Sequence, residues 1–301
     1  MSTTAVTTAR IVRSITELRE HIRQYRLQAG PSAAVGLVPT MGFLHAGHAS
    51  LIRRSAEENG LTVVSVFVNP LQFGPNEDFE CYPRDEARDV AIASEAGANV
   101  LFMPEVTEMY PNPPKTSVIV SGITERLCGA SRPGHFDGVG IVVSKLLNIV
   151  QPNRAYFGMK DAQQVAVITR MASDLSMPVD IVPCPIVRDS DGLALSSRNV
   201  YLSADERSQA LILSQTLKLV PSWVEEGIAA AELTRRIRER IQSQPLSDID
   251  YVEALEYPDL TPPAAGASLR TLLHQHPLLV AVAVRFGKTR LIDNILLTQK
   301  G

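Results

Sequence analysis

Val35-Gly36-Leu37-Val38-Pro39-Thr40-Met41-Gly42-Phe43-Leu44-His45-Ala46-Gly47-His48 is the stretch on which the fold turns. Val35 to Val38 is a short apolar run that Pro39 ends, the pattern of a buried strand, because proline cannot continue a central one. Helical spacing takes over at Ala49 and runs to Asn59. The segment therefore reads as strand, turn, helix, and the turn carries two glycines and two histidines.

The same alternation spreads outward. Upstream, Ile15 to Leu27 has a helical pattern. Downstream, Val63 to Val68 is a β-branched run closed by Asn69-Pro70, Glu86 to Ala98 repeats small and apolar residues at helical intervals, and Val100 to Met103 is another short apolar run. Strands alternating with helices imply a mostly parallel sheet with helices on both faces and right-handed crossovers. The fold class expected is α/β, a Rossmann-like doubly wound parallel sheet. Val139, Val142, Val143, Leu146, Leu147 and Val150 share one helix face that Pro152 terminates, followed by a strand at Ala155 to Phe157. Val165, Ile168, Ala172 and Leu175 give a further helix, and Val179 to Val182 a last strand before Pro183 and Pro185.

That proline pair is the expected boundary between a first domain, 1–185, and a smaller C-terminal α+β domain, 186–301. In the latter, Ser203 and Glu206 have the spacing of a capping box opening a helix through Leu219. A second helix is expected over Ala230 to Ile241. Asp250 to Leu255, Leu279 to Val284 and Leu291 to Leu297 read as strands, the last two joined near Gly287-Lys288.

Composition sets the limits. With 301 residues, 45% of them hydrophobic, the chain can bury a sizeable core, and a formal charge of -3 gives no footprint for nucleic acid or an anionic membrane. Any anionic ligand must be held locally. Cys81, Cys128 and Cys184 are odd in number and far apart, so reduced thiols are expected rather than a disulfide framework. Met1 to Arg10 lacks the apolar segment of a secretory signal, and no run reaches the roughly 18 apolar residues of a membrane span. The expected compartment is the cytoplasm.

His45 and His48, three apart at the start of a helix, would project to one side and reach a polyphosphate as imidazolium donors. Unpaired N–H groups at the helix N-terminus would add to the attraction for phosphate, with Gly47 allowing close approach. The bland alternative is a turn with incidental histidines; zinc lacks an evident third ligand. A second signal is Leu195-Ser196-Ser197-Arg198-Asn199, where two hydroxyls and a guanidinium suit β- and γ-phosphate oxygens. Alone it reads equally as a capped loop. Together the two match the two-part phosphate clamp of the nucleotidylyltransferase superfamily.

Further blocks make the resemblance specific: Phe67-Val68-Asn69-Pro70-Leu71-Gln72-Phe73, Tyr82-Pro83-Arg84, Arg132-Pro133-Gly134-His135-Phe136, Asn148-Ile149-Val150-Gln151-Pro152, Tyr156-Phe157-Gly158 and Lys160-Asp161-x-Gln163-Gln164. In these the chain resembles the pantothenate synthetases, from about residue 35 to 202. The resemblance implies an enzyme that condenses pantoate with β-alanine through a pantoyl adenylate, with ATP as co-substrate and Mg²⁺. It implies that Met41, Gly42, Phe43, Leu44, His45, Ala46, Gly47, His48, Gly158, Met159, Lys160, Asp161, Val187, Leu195, Ser196, Ser197 and Arg198 line the ATP site. It implies that His48 is the proton donor and that Gln72 and Gln164 hold pantoate, Gln72 also lying near β-alanine. Asn69, Tyr82 and His135 join as substrate-site candidates, Asp89 as a candidate magnesium contact, and a homodimer is the family expectation. One departure stands out: Met159 occupies a position where the family usually has glutamate.

Two other readings remain. Nucleotide transfer to a phosphorylated substrate, or tRNA charging, would use the same fold, although the near-neutral charge weighs against tRNA. A catalytically silent nucleotide-binding regulator would also fit, with Met159 as its mark, against which stand His45, His48, Lys160 and Arg198.

Overall fold

The computed structural model describes residues 8–75 and 79–299. Its strands are β1 (Arg10–Val12), β2 (Val35–Thr40), β3 (Leu61–Val66), β4 (Val100–Phe102), β5 (Arg154–Gly158), β6 (Asp180–Cys184), β7 (Ser247–Glu256), β8 (Leu278–Phe286) and β9 (Thr289–Leu297). The helices are α1 (Ile15–Ala29), α2 (Ala46–Glu58), α3 (Glu86–Glu95), α4 (Val106–Met109), α5 (Leu127–Ser131), α6 (His135–Val150), α7 (Ala162–Asp174), α8 (Ala204–Ala210), α9 (Ile212–Leu217), α10 (Val220–Glu225), α11 (Ala230–Gln242) and α12 (Leu269–Leu273). No helix among the described residues is long and apolar enough to cross a membrane.

The chain divides into two compact units. The first takes the chain up to Val120, Arg132–Met159 and Val167–Pro185; the second takes Ser121–Ser131, Lys160–Ala166 and everything from Ile186 onward. Hydrogen bonds explain why two early segments join the later one. The Gln163 amide holds the loop 121–131, donating to Ile123 O and Arg126 O at 2.8 Å and accepting Cys128 N–H at 2.9 Å. Ser131 Oγ in turn donates to Asp250, and Asn294 Nδ2 donates to Lys160 O at 2.9 Å.

In the first unit a six-stranded parallel sheet has the order β1-β4-β3-β2-β5-β6. The doubly wound expectation is borne out, and the strand order reverses between β2 and β5. In such sheets the crevice beyond the strand ends at the reversal is where ligands bind. Thr40 closes β2 and Gly158 closes β5, so both expected ATP-lining loops leave the sheet there. β2 runs past Val38 through Pro39. Its ladder to β5 covers only Gly36 and Leu37, so at Pro39 one flank is already unpaired and proline is tolerated. Pro183 is accommodated in β6 because β6 is an edge strand.

Helix α2 is fixed on the sheet by a buried polar node. Asn59 Nδ2 donates to Ser55 O at 2.8 Å and to the Tyr156 hydroxyl at 2.7 Å, and Ser55 Oγ meets Thr62 Oγ1 at 2.9 Å. Gly36 lies beneath this node, where a Cβ would strike Ser55 Oγ. Leu44, Ile52, Val38, Val64 and Leu101, each with no exposed surface, fill the core around it.

In the second unit β7, β8 and β9 form an antiparallel sheet, with Gly287 at φ +58° in the turn between β8 and β9. The small α+β architecture is as expected. The single helix expected through Leu219 is instead broken into α8 and α9, with α10 following beyond it, although Leu211 at the break keeps right-handed helical angles.

Candidate active site

The turn between β2 and α2 is built by a buried carboxylate. Thr40 Oγ1 donates to Ser65 O at 2.7 Å and accepts the Gly42 N–H at 3.2 Å. Gly42 (φ +84°) and Phe43 (φ +49°) are then both left-handed. A Cβ on Gly42 would lie 2.9 Å from Asp89 Oδ2 and from Val66 Cγ1, so glycine is required here. This left-handed pair aims two consecutive N–H groups at Asp89: Phe43 N to Oδ2 at 2.9 Å and Leu44 N to Oδ1 at 2.6 Å. Asp89, in the first turn of α3, is buried. Burial pushes its pKa above the ordinary aspartate value, and the N–H bonds from Leu44 and Phe43 pull the other way. Each Asp89 oxygen thus accepts one backbone N–H of the turn.

His45 is the N-cap of α2, with extended backbone (φ -141°, ψ 177°), and His48 is its third residue. Their side chains close a reciprocal cap. His45 Nδ1 accepts the Gly47 N–H at 3.1 Å, and His48 Nδ1 accepts the His45 N–H at 3.3 Å. The ring centroids are 4.1 Å apart at an interplanar angle of 37°. A backbone N–H can only donate, so both Nδ1 atoms are acceptors and the ring proton of each histidine sits on Nε2. Each ring thus offers Nε2–H as its outward donor. The expected reservoir of unpaired N–H groups is absent at Gly42, Phe43, Leu44, His45 and Gly47, all of which bond within the chain.

Gln72 ends a short 3₁₀ turn (Pro70–Gln72) capped by Asn69, and both are buried. A relay fixes its amide. The Tyr110 hydroxyl donates to Asn69 Oδ1 at 3.0 Å, Asn69 Nδ2 donates to Gln72 Oε1 at 3.2 Å, and Gln72 Nε2 reaches Met41 Sδ at 2.9 Å. Burial raises the Tyr110 pKa to about 12, so the hydroxyl stays a donor at neutral pH. The turn rests on α6 at Gly138, where a Cβ would collide with the Leu71 carbonyl. His135 supports it from below: Nδ1 bonds to Gln72 O at 2.8 Å, and Nε2 receives Arg132 at 3.1 Å. Both ring nitrogens therefore serve the protein, which makes His135 a support for Gln72 rather than a direct substrate contact. Tyr82 is buried edge-on against Phe73, with centroids 6.0 Å apart. Gly158 ends β5 and the buried Met159 follows it.

The remaining expected residues belong to the second unit. Lys160 and Asp161 lie in the 3₁₀ turn Met159–Asp161, and Gln164 is half-buried in the first turn of α7. Leu195 N–H donates to Val187 O at 3.0 Å, pairing those two residues across a short hairpin. Arg188 anchors the hairpin on β9 through a bidentate pair with Asp293 at 2.6 and 2.9 Å. Ser196 then caps the 3₁₀ helix Ser197–Tyr201, its Oγ accepting the Arg198 N–H at 3.3 Å. Sequence reasoning missed Tyr110 and the anchoring role of Asp89, because neither carries a periodic or motif signal of its own.

Comparison with known proteins agrees along almost the whole chain. The family model described as pantoate-beta-alanine ligase matches residues 10–296. The pantothenate synthetase of Geobacillus kaustophilus is 54% identical over 288 residues, covering 95% of this chain and 92% of that protein. That of Acetivibrio thermocellus is 52% identical, covering 95% and 99%. Among solved structures, pantothenate synthetase from Thermus thermophilus superposes with a TM-score of 0.85 at 44% identity, covering 96% of this chain and 100% of that one. The Francisella tularensis pantoate-beta-alanine ligase, complexed with beta-gamma ATP and beta-alanine, gives 0.76 at 33% identity, covering 96% and 97%. With the strand reversal, the paired histidines and the Gln72 relay all lying inside the matched span, the chain belongs to the pantoate-beta-alanine ligase family.

Proposed function

We propose that this chain is an ATP-dependent ligase that condenses pantoate with β-alanine through a pantoyl adenylate, giving pantothenate, AMP and pyrophosphate. The observation that carries the reading is the pair of histidine rings, each accepting a backbone N–H at Nδ1 and so presenting Nε2 outward, at the N-terminus of α2 beside the β2/β5 reversal. The ligand-bound Francisella relative supports ATP and β-alanine as substrates.

In the first half-reaction a pantoate carboxylate oxygen attacks the α-phosphorus, and the bond to the β-phosphate oxygen breaks. Negative charge grows on the departing pyrophosphate, and hydrogen bonds from His45 and His48 Nε2–H stabilise it. His48 is the proton donor in this sense. Gln72 and Gln164 hold pantoate; Gln72 is suited to it because its amide is locked in one orientation. In the second half-reaction the β-alanine amine attacks the acyl carbon, and AMP leaves. No protein nucleophile takes part, so positioning carries the rate. Lys160, Ser196, Ser197 and Arg198 supply cationic and hydroxyl contacts to the phosphates, with Gly158, Met159, Asp161, Val187 and Leu195 lining the nucleotide.

Among the described residues no group of three or more His, Cys, Asp or Glu side chains could hold a metal ion. Magnesium in this reading arrives on the nucleotide phosphates, the usual mode for this hard cation, and no step is assigned to it. A homodimer in the cytoplasm completes the proposal, in keeping with three free cysteines; sedimentation of the purified protein tests the dimer. The reaction is tested with ATP, Mg²⁺, pantoate and β-alanine, omitting each in turn. Pantoate-dependent exchange of pyrophosphate into ATP without β-alanine is expected. Its absence overturns the adenylate route.

A further inference from the structure

We infer that Asp89 is a positioning residue for the histidine pair, acting through the Phe43–Leu44 peptide; the inference rests on the ligase reading only for its rate readout. The chain of contacts is short. Leu44 has no exposed surface, so its side chain is held in the core while its N–H is held by Asp89 Oδ1 at 2.6 Å. The next residue is His45, whose own N–H must point at His48 Nδ1 to close the cap. Fixing the peptide before His45 thereby fixes the direction of that N–H, and with it the His48 tautomer and ring orientation.

The residue type matters. Two adjacent N–H groups need two acceptors, and a carboxylate supplies one oxygen to each. Asparagine would satisfy one and turn its own NH₂ toward the other. The grip is reinforced from the same helix, since the Arg88 guanidinium lies 4.4 Å from the centre of the Phe43 ring and Asp85 caps α3 through the Arg88 N–H at 3.1 Å. A buried carboxylate is costly where packing alone is needed. Its placement against the turn that carries both histidines gives that cost a purpose.

The test is Asp89→Asn in the full chain, read by pantoate-dependent pyrophosphate exchange, by the KM for β-alanine, and by the nitrogen-15 shifts of the His45 and His48 rings. The expected result is a roughly 10- to 100-fold slower exchange, the scale of a small misplacement of catalytic groups. The β-alanine KM should stay unchanged, and the Nε2–H tautomer of His48 should be lost to a mixture. A variant that keeps both the exchange rate and the fixed tautomer overturns the inference. The ring shifts decide the matter even where the wild-type chain shows no exchange, a result that would count against the ligase reading alone. Should the variant not fold, amide exchange in the wild-type chain decides: slow exchange at Phe43 and Leu44 supports the anchor, and fast exchange refutes it.

Discussion

His48 Nδ1 accepts the backbone N–H of His45 across 3.3 Å, so the residue assigned as proton donor is also a structural cap of its own helix. The two duties fall on different nitrogens, which lets substitutions separate them.

Asparagine places an acceptor near the Nδ1 position and glutamine a donor near Nε2. His48→Asn should therefore keep more stability, and His48→Gln more activity. His48→Ala should lose both, with adenylation slowed by roughly 10² to 10³ and stability reduced by about 1 kcal/mol for the missing cap. Single-turnover adenylate formation and thermal unfolding of the three variants check this. A glutamine variant less active than the asparagine one would contradict the assignment of the proton to Nε2.

Tyr110→Phe removes one hydroxyl and leaves the ring. Asn69 Oδ1 keeps its bond from the Leu71 N–H at 3.3 Å, so the fold should lose only about 1 kcal/mol. The Asn69–Gln72 relay loosens, however, and the pantoate KM should rise several-fold, on the order of one lost hydrogen bond. Steady-state kinetics with pantoate varied would expose an unchanged KM, which would disconnect Tyr110 from the substrate.

Much of this arrangement was legible beforehand, for identifiable reasons. Val35 to Val38 and Val63 to Val68 read as strands because buried parallel strands are continuously apolar, although the second ends at Val66, and the alternation with helices fixed the fold class. β1 escaped notice because Arg10–Val12 is too short for any period to show. The histidine turn was visible as a motif, but its protonation was not. That depends on which N–H reaches each Nδ1, and so on two left-handed residues and a carboxylate 46 positions away. Likewise Gln163 and Gln164 look alike in sequence, yet the first is buried in structural bonds and the second is half-exposed.

Asp89 should give pH effects of opposite sign on stability and on rate. Burial raises its folded pKa above the ordinary value of about 3.9. Between those two values the folded chain binds more protons than the unfolded one, so stability falls as pH rises through the window and is level above it. Adenylation moves the other way, because only the ionised carboxylate accepts both N–H groups. Urea unfolding and exchange assays of wild type and Asp89→Asn, from about pH 4 upward, should show the wild type losing relative stability while gaining relative rate. Parallel trends in the two quantities would argue against an ionised anchor.

Gln163 offers the sharpest stability test in the second unit. Its amide both accepts, from Cys128 N–H, and donates, to Ile123 O and Arg126 O, and it is 5% exposed. Arg126 O keeps its bonds from the Gly129 and Ala130 N–H groups, so Gln163→Ala deprives chiefly Ile123 O and the Cys128 N–H, and a loss of roughly 2 kcal/mol follows if each costs about 1 kcal/mol. Gln163→Glu has nearly the same shape but cannot donate when ionised, so it faces two carbonyl oxygens with a negative charge. It should be at least as destabilised as the alanine variant near neutral pH and recover partly in acid, where a protonated carboxyl can donate once. Protease should cut both variants within residues 121–131 sooner than the wild type. A glutamate variant with wild-type stability at neutral pH would mean that the loop is held by Ser131, Arg126 and Cys128 on β7 instead.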